Sequence, residues 1–205
     1  MFTALIPVVV YLVYKPSLNL FFKLLLASIL LSIFFDALST TAAIYYRNNL
    51  ALGCIYCILN TLIITLLWQK VPFYSIKIKM SIRNIGYTLI AIMILLNIYF
   101  TCTIGALYML SCLNVFWALI LSLLYYYQKI KRASYTPLLQ DPYYITATGV
   151  LLFSLSTNII LAAQIHLGEQ PDIVYTWILR QAFYFIYNII IGYAFYVLYK
   201  TQSIK

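Results

Sequence analysis

Acidic residues are nearly missing from this sequence. Four Asp and Glu occur among 205 residues, beside thirteen Lys and Arg and one His. Charged side chains make up 8% of the chain, whereas soluble proteins carry about 25%. So little charge cannot clothe a water-facing surface, which excludes a soluble globular domain. The shortage of polar residues likewise excludes a disordered chain. Four cysteines are too few to staple a secreted domain of this length. Also missing are a Gly-rich phosphate loop, a Gly-x-Ser-x-Gly elbow and any His/Cys cluster at metal spacing. The expectation is therefore no catalytic residue, no cofactor and no metal. The last apolar block contains no lysine before Lys200, so a retinal imine within that span is excluded as well.

What the chain has in abundance is apolar length. Hydrophobic residues make up 65% and the mean hydropathy is +0.96. Seven apolar blocks run from Phe2 to Tyr14, Leu20 to Tyr46, Leu50 to Trp68, Ile85 to Phe100, Ile104 to Tyr127, Tyr143 to Ile165 and Ile173 to Tyr199. Crossing a hydrocarbon core of about 30 Å takes roughly 20 apolar residues as a helix. Lipid offers the backbone no partner, so each block must close its own hydrogen bonds as a helix. Continuous rather than alternating apolarity excludes a β-barrel. The first block is short and carries Pro7. The expected fold is all-α: a single transmembrane domain over residues 1–205, with seven helices, the N-terminus out and the C-terminus in.

Charge placement gives the orientation. With the N-terminus outside, eleven of the thirteen bases fall on the inner side: Lys15, Lys23, Lys70, Lys77, Lys79, Arg83, Lys129, Lys131, Arg132, Lys200 and Lys205. Only Arg47 falls in an outer loop, and Glu169 and Asp172 lie in the last one. An excess of Lys and Arg on the cytoplasmic side is the usual rule for such loops. This sorting also accounts for the net charge of +9, so no nucleic-acid partner is needed. No cleavable signal peptide is expected, because no basic stretch precedes the first apolar block. The segment Lys70 to Arg83 interleaves bases with apolar residues, as a loop lying on anionic lipid does. Tyr45, Tyr46, Trp68, Tyr125, Tyr126, Tyr127, Tyr143, Tyr144, Tyr175, Trp177 and Tyr199 sit near block ends, where aromatic rings anchor at headgroup level. Trp117 is mid-span and is expected to pack between helices.

Polar residues inside the spans need a reason, because an ionised group at mid-bilayer costs about 3 kcal/mol on insertion scales. Asp36 lies about 15 Å below the outer end of its block and Arg180 roughly 8 to 10 Å below, at 1.5 Å per residue. Their depths overlap once the arginine side chain is extended, and the two are expected to face each other. They would then line a polar cavity or form an ion pair holding the second and seventh helices. Asn60, Asn114, Asn158 and Gln164 fall at similar depth, and Gln181 follows Arg180. Together these residues predict an outward-opening polar pocket or interhelical cluster. Asn188 lies deeper, at another helix contact. His166 reads as a polar tip near Glu169, and Cys54 and Cys57 as small core residues on one helix face.

One set of stretches runs Phe22 through Asp36 to Tyr46, Asn48-Asn49-Leu50-Ala51-Leu52 and Ile55-Tyr56-Cys57-Ile58-Leu59. Further along come Leu121 to Gln128, Asp141-Pro142-Tyr143-Tyr144, Gly149 to Ser154, Trp177-Ile178-Leu179 and Ile186-Tyr187-Asn188-Ile189. Together they resemble uncharacterised bacterial seven-helix integral membrane proteins, related to the membrane modules of some sensor histidine kinases. Where those proteins carry an acid in the third helix and a histidine in the seventh, this chain has Asn60 and Arg180 or Gln181. The resemblance implies a sensor-like or accessory subunit of the bacterial inner membrane, working through partner membrane proteins. Asp36 with Gly53, Tyr56 and Asn60 is also similar to the lysoplasmalogenase-like family, whose second aspartate would fall near Ser156-Thr157-Asn158. Three function classes follow: a non-enzymatic sensor or accessory subunit, a small transporter or channel, and a lipid hydrolase.

Overall fold

The computed structural model describes residues 2–46, 49–72, 74–100, 103–132, 138–167 and 173–203. Among them are seven α-helices: α1 (Leu5–Tyr14), α2 (Leu20–Tyr46), α3 (Leu50–Gln69), α4 (Ile76–Phe100), α5 (Ile104–Lys131), α6 (Pro142–Leu167) and α7 (Ile173–Ser203). Single 3-10 turns precede α1 and α6, and there are no strands among the described residues. Six helices, α2 to α7, are long and apolar enough to cross a membrane. The ten residues of α1 cover only about 15 Å at the α-helical rise.

Three helices run well beyond the apolar reading. The basic segment expected to be a surface loop is largely helix, since α4 starts at Ile76. Ser75 starts it, accepting a hydrogen bond from Ile78 N at 3.4 Å through its hydroxyl. No proline or glycine interrupts the run from Ile76 to Asn84, so the helix continues past its apolar stretch. By the same logic α5 and α7 extend beyond their apolar ends to Lys131 and Ser203.

The chain divides into two compact units, one of Leu18–Trp117, the other of Phe2–Ser17 with Ala118–Lys205. In the first, α3 is the hub. It runs antiparallel to α2, with the Phe21 and Trp68 rings 6.1 Å apart at one end and Phe35 and Tyr56 at 5.7 Å further along. Its side chains also meet the first half of α5 at a nearly constant offset. Gly53 lies against Leu107, Cys57 against Ser111, Asn60 against Asn114 and Thr65 against Trp117. A constant positive offset means that α3 and α5 run parallel. On α4, Gly86 faces Thr65 and Met93 faces Thr61, an antiparallel crossing close enough to need a residue without a side chain.

Trp68 lies at the end of α3 but turns into the protein rather than outward. It is 1% exposed, packed with Phe21. Tyr74, between α3 and α4, is also buried, and burial pushes its phenol well above its ordinary value, so the ring stays neutral. Tyr45, Tyr127 and Tyr175 are exposed at helix ends as the aromatic pattern requires.

In the second unit α6 and α7 are antiparallel. Phe153 packs on Tyr184 and Tyr187, Gly149 lies against Ile190, and Ile145 joins Ala194 and Val197. The short α1 runs parallel to the second half of α7. Gly192 meets Ile6, Pro7 and Val10; Tyr11 meets Phe195; Tyr14 meets Tyr199; and Ser17 and Gln202 exchange two hydrogen bonds. The α1 sequence ends at Lys15, whose left-handed backbone (φ 45°) lets its N–H donate to Tyr11 O at 2.8 Å.

Candidate functional site

The polar residues on α3 fall on one face because Cys57, Thr61, Thr65 and Trp68 recur every three or four positions. The α-helical period thus aims a stripe of hydroxyl, thiol and indole groups at the neighbouring helices, with Asn60 beside it. Ser28 of α2 donates to Asn60 Oδ1 at 3.2 Å, and Asn60 Nδ2 donates to Asn114 Oδ1 of α5 at 3.4 Å. The Thr61 hydroxyl lies 3.1 Å from the same Asn114 oxygen and 2.8 Å from Cys57 O. One turn on, Trp117 Nε1 donates to Thr65 Oγ1 at 2.9 Å, and that hydroxyl donates to Thr61 O at 2.7 Å. Cys57 Sγ is 3.5 Å from Ser111 Oγ. Asn60, Thr61, Thr65 and Asn114 are all buried. Neutral donors and acceptors therefore satisfy one another where water is scarce, which ties α2, α3 and α5 at a defined register.

The second unit holds a different site, built on charge. Asp141 Oδ1 accepts hydrogen bonds from Tyr143 N at 3.0 Å and Tyr144 N at 3.4 Å. It thereby caps α6, with Pro142 at the first helical position. Its other oxygen pairs with Lys129 and accepts from the Tyr125 hydroxyl at 3.1 Å. Nearby, the Tyr126 and Thr148 hydroxyls lie 2.6 Å apart, linking α5 to α6. None of these residues was singled out from polar depth. The Asp-Pro pair ahead of an apolar run was the available signal, being a helix-start pattern.

The residues expected to form one polar cluster are distributed as follows. Asn60 and Asn114 are in direct contact. Asp36 is on α2 of the first unit, half-buried, with its backbone carbonyl accepting from Thr40 Oγ1 at 2.7 Å. Arg180 and Gln181 are on α7 of the second unit, half-buried. Asn158 donates to Ser154 O on its own helix at 3.0 Å. Asn188 is buried and donates to Tyr184 O at 2.8 Å. The side chains of Gln164 and His166 lie outside the described residues, as do Arg47, Cys102, Glu169 and Asp172. Cys54 and Cys57 pack in a core with Met93 and Leu110. Trp117 is between helices as expected, and it carries a hydrogen bond as well. No group of three His, Cys, Asp or Glu able to hold a metal occurs among the described residues.

Comparison with known proteins adds no relative: no family model, no curated protein and no solved structure matches the chain.

The α3 network makes a specific demand on Asn114. Replacing it with leucine removes the acceptor for Asn60 Nδ2 and strands a buried amide, costing about 1–3 kcal/mol. Making Asn60→Leu together with Asn114→Leu removes both members, so the pair of changes should cost clearly less than the two single costs summed. Thermal unfolding of the four proteins in detergent measures this. Additive costs would mean that the two amides are not coupled.

Proposed function

We propose that the chain is a seven-span protein of the bacterial inner membrane, N-terminus out and C-terminus in. In this reading it acts without catalysis, as a sensor-like or accessory subunit making helix contacts with a partner membrane protein. The observation that carries the reading is the neutral network joining Ser28, Asn60, Thr61 and Asn114. Side-chain amides and hydroxyls do not ionise near neutral pH, so this network suits holding and transmitting helix position more than acid–base chemistry. The parallel course of α1 and α7 supports the span count, since helices alternating across a bilayer point the same way at the first and seventh positions. The sorting of bases along the sequence supports the orientation.

The partner is tested by purifying the tagged protein in mild detergent. A membrane protein recovered in a fixed ratio to the chain is expected. A chain that arrives alone yet hydrolyses lipid in an Asp36-dependent way, or takes up solute in proteoliposomes, would overturn the reading.

A further inference from the structure

At one end of the first unit α2 begins, α3 ends and α4 begins. Phe21, Phe22, Trp68 and Val71 close a buried apolar floor there. Around it the sequence places Lys23 on α2, Lys70 at the end of α3, and Lys77, Lys79 and Arg83 on α4; all but Lys79 are exposed. None of the five has an acidic partner among the described residues. The only acid in this unit is Asp36, thirteen residues beyond Lys23, or about 20 Å along α2. The N-termini of α2 and α4 add partial positive charge at the same end, which the single C-terminus of α3 offsets only in part. One is capped by Asn19 Oδ1, which accepts from Phe22 N at 3.2 Å, the other by Ser75. A surplus of cations with no acid beside them calls for an anion with several oxygens.

The apolar side chains narrow the choice. Ile76 is 77% exposed and Met80 48%, and with Arg83 they share one face of α4 at i, i+4 and i+7. Such a face presents hydrocarbon-compatible surface directly beside the bases. A free inorganic anion gains nothing from that arrangement, whereas a lipid brings phosphate and acyl chain together.

We propose that this end of the first unit binds the phosphate diester of an anionic phospholipid. Lys70, Lys77, Lys79 and Arg83 hold the headgroup, and Ile76 and Met80 lie against its acyl chains. The site does not depend on the reading of function given above.

The test is thermal unfolding of the full chain in neutral detergent, with phosphatidylglycerol, phosphatidylcholine or inorganic phosphate added. Phosphatidylglycerol should raise the midpoint by roughly 3–6 °C, as a ligand present well above its Kd does. The effect should shrink in about 0.5 M NaCl, where screening is short-ranged. Phosphatidylcholine and inorganic phosphate should leave the midpoint in place. The variant Lys77→Gln/Lys79→Gln/Arg83→Gln should lose most of the phosphatidylglycerol shift, while Lys77→Arg/Lys79→Arg should keep it. An equal shift with phosphatidylcholine, an equal shift with phosphate alone, or a full shift in the glutamine variant would each overturn the proposal. Should the glutamine variant not fold, the wild-type lipid comparison alone decides.

Discussion

Gly86→Ala should destabilise the protein by about 2–5 kcal/mol, an unusually large effect for one added methyl group. A Cβ at position 86 would stand 2.6 Å from Thr65 Oγ1 and 3.0 Å from Thr65 Cβ, closer than atoms pack. Threonine is branched at Cβ and has few rotamers to retreat into. Its hydroxyl is also committed, accepting from Trp117 Nε1 and donating to Thr61 O. Turning it aside leaves a buried indole N–H without an acceptor; holding it in place forces α4 away from α3. Thr65→Ala removes the hydroxyl and the methyl that obstruct the new side chain. The double variant should therefore be less damaged than the two single costs predict, though not restored, since Trp117 stays unbonded. Denaturation midpoints of the two singles and the double read this coupling. If Gly86→Ala unfolds at the wild-type midpoint, the tight α3–α4 crossing does not exist in the membrane protein.

Asp141→Ala should cost about 2–4 kcal/mol, because one carboxylate serves three partners. It caps two backbone N–H groups of α6, accepts from Tyr125 and compensates the Lys129 ammonium. The pair is 12% exposed on each side, so it is shielded from water far more than a surface salt bridge, whose worth is usually below about 1 kcal/mol. Asp141→Asn keeps an acceptor for the helix cap but removes the charge opposite Lys129, and should cost about 1–2 kcal/mol. Lys129→Met should cost least, since the backbone amides and Tyr125 still solvate the carboxylate. The order of unfolding midpoints, lowest for alanine and highest for Lys129→Met, is the outcome to check. A Lys129→Met protein less stable than Asp141→Ala would show that the ion pair, not the cap, dominates.

Both predictions rest on residues whose importance is unequally visible in the chain. Asp141 precedes a proline and an apolar run, which marks a helix start. That its second oxygen meets Lys129, twelve residues earlier, depends on how the end of α5 lies against the start of α6. Gly86 is one of six glycines, and nothing in its neighbourhood distinguishes it from Gly105, which has open space around it apart from Thr103 Oγ1 at 4.0 Å. The Asn60–Asn114 contact is intermediate between these cases. Depth alone suggested that the two amides share a level, but the parallel register of α3 and α5 makes them partners. Asn158, at similar depth, turns to its own backbone instead.

Composition and the lengths of apolar runs decided the helical class and the membrane-spanning segments, because a backbone in lipid has only one local way to satisfy its own hydrogen bonds. The tertiary structure decided the rest: where helices continue beyond their apolar stretch, which faces meet, and which polar groups find one another. Those outcomes depend on the rotation and offset of each helix against its neighbours. Small differences in side-chain volume set these, as at Gly86, and hydropathy does not record them.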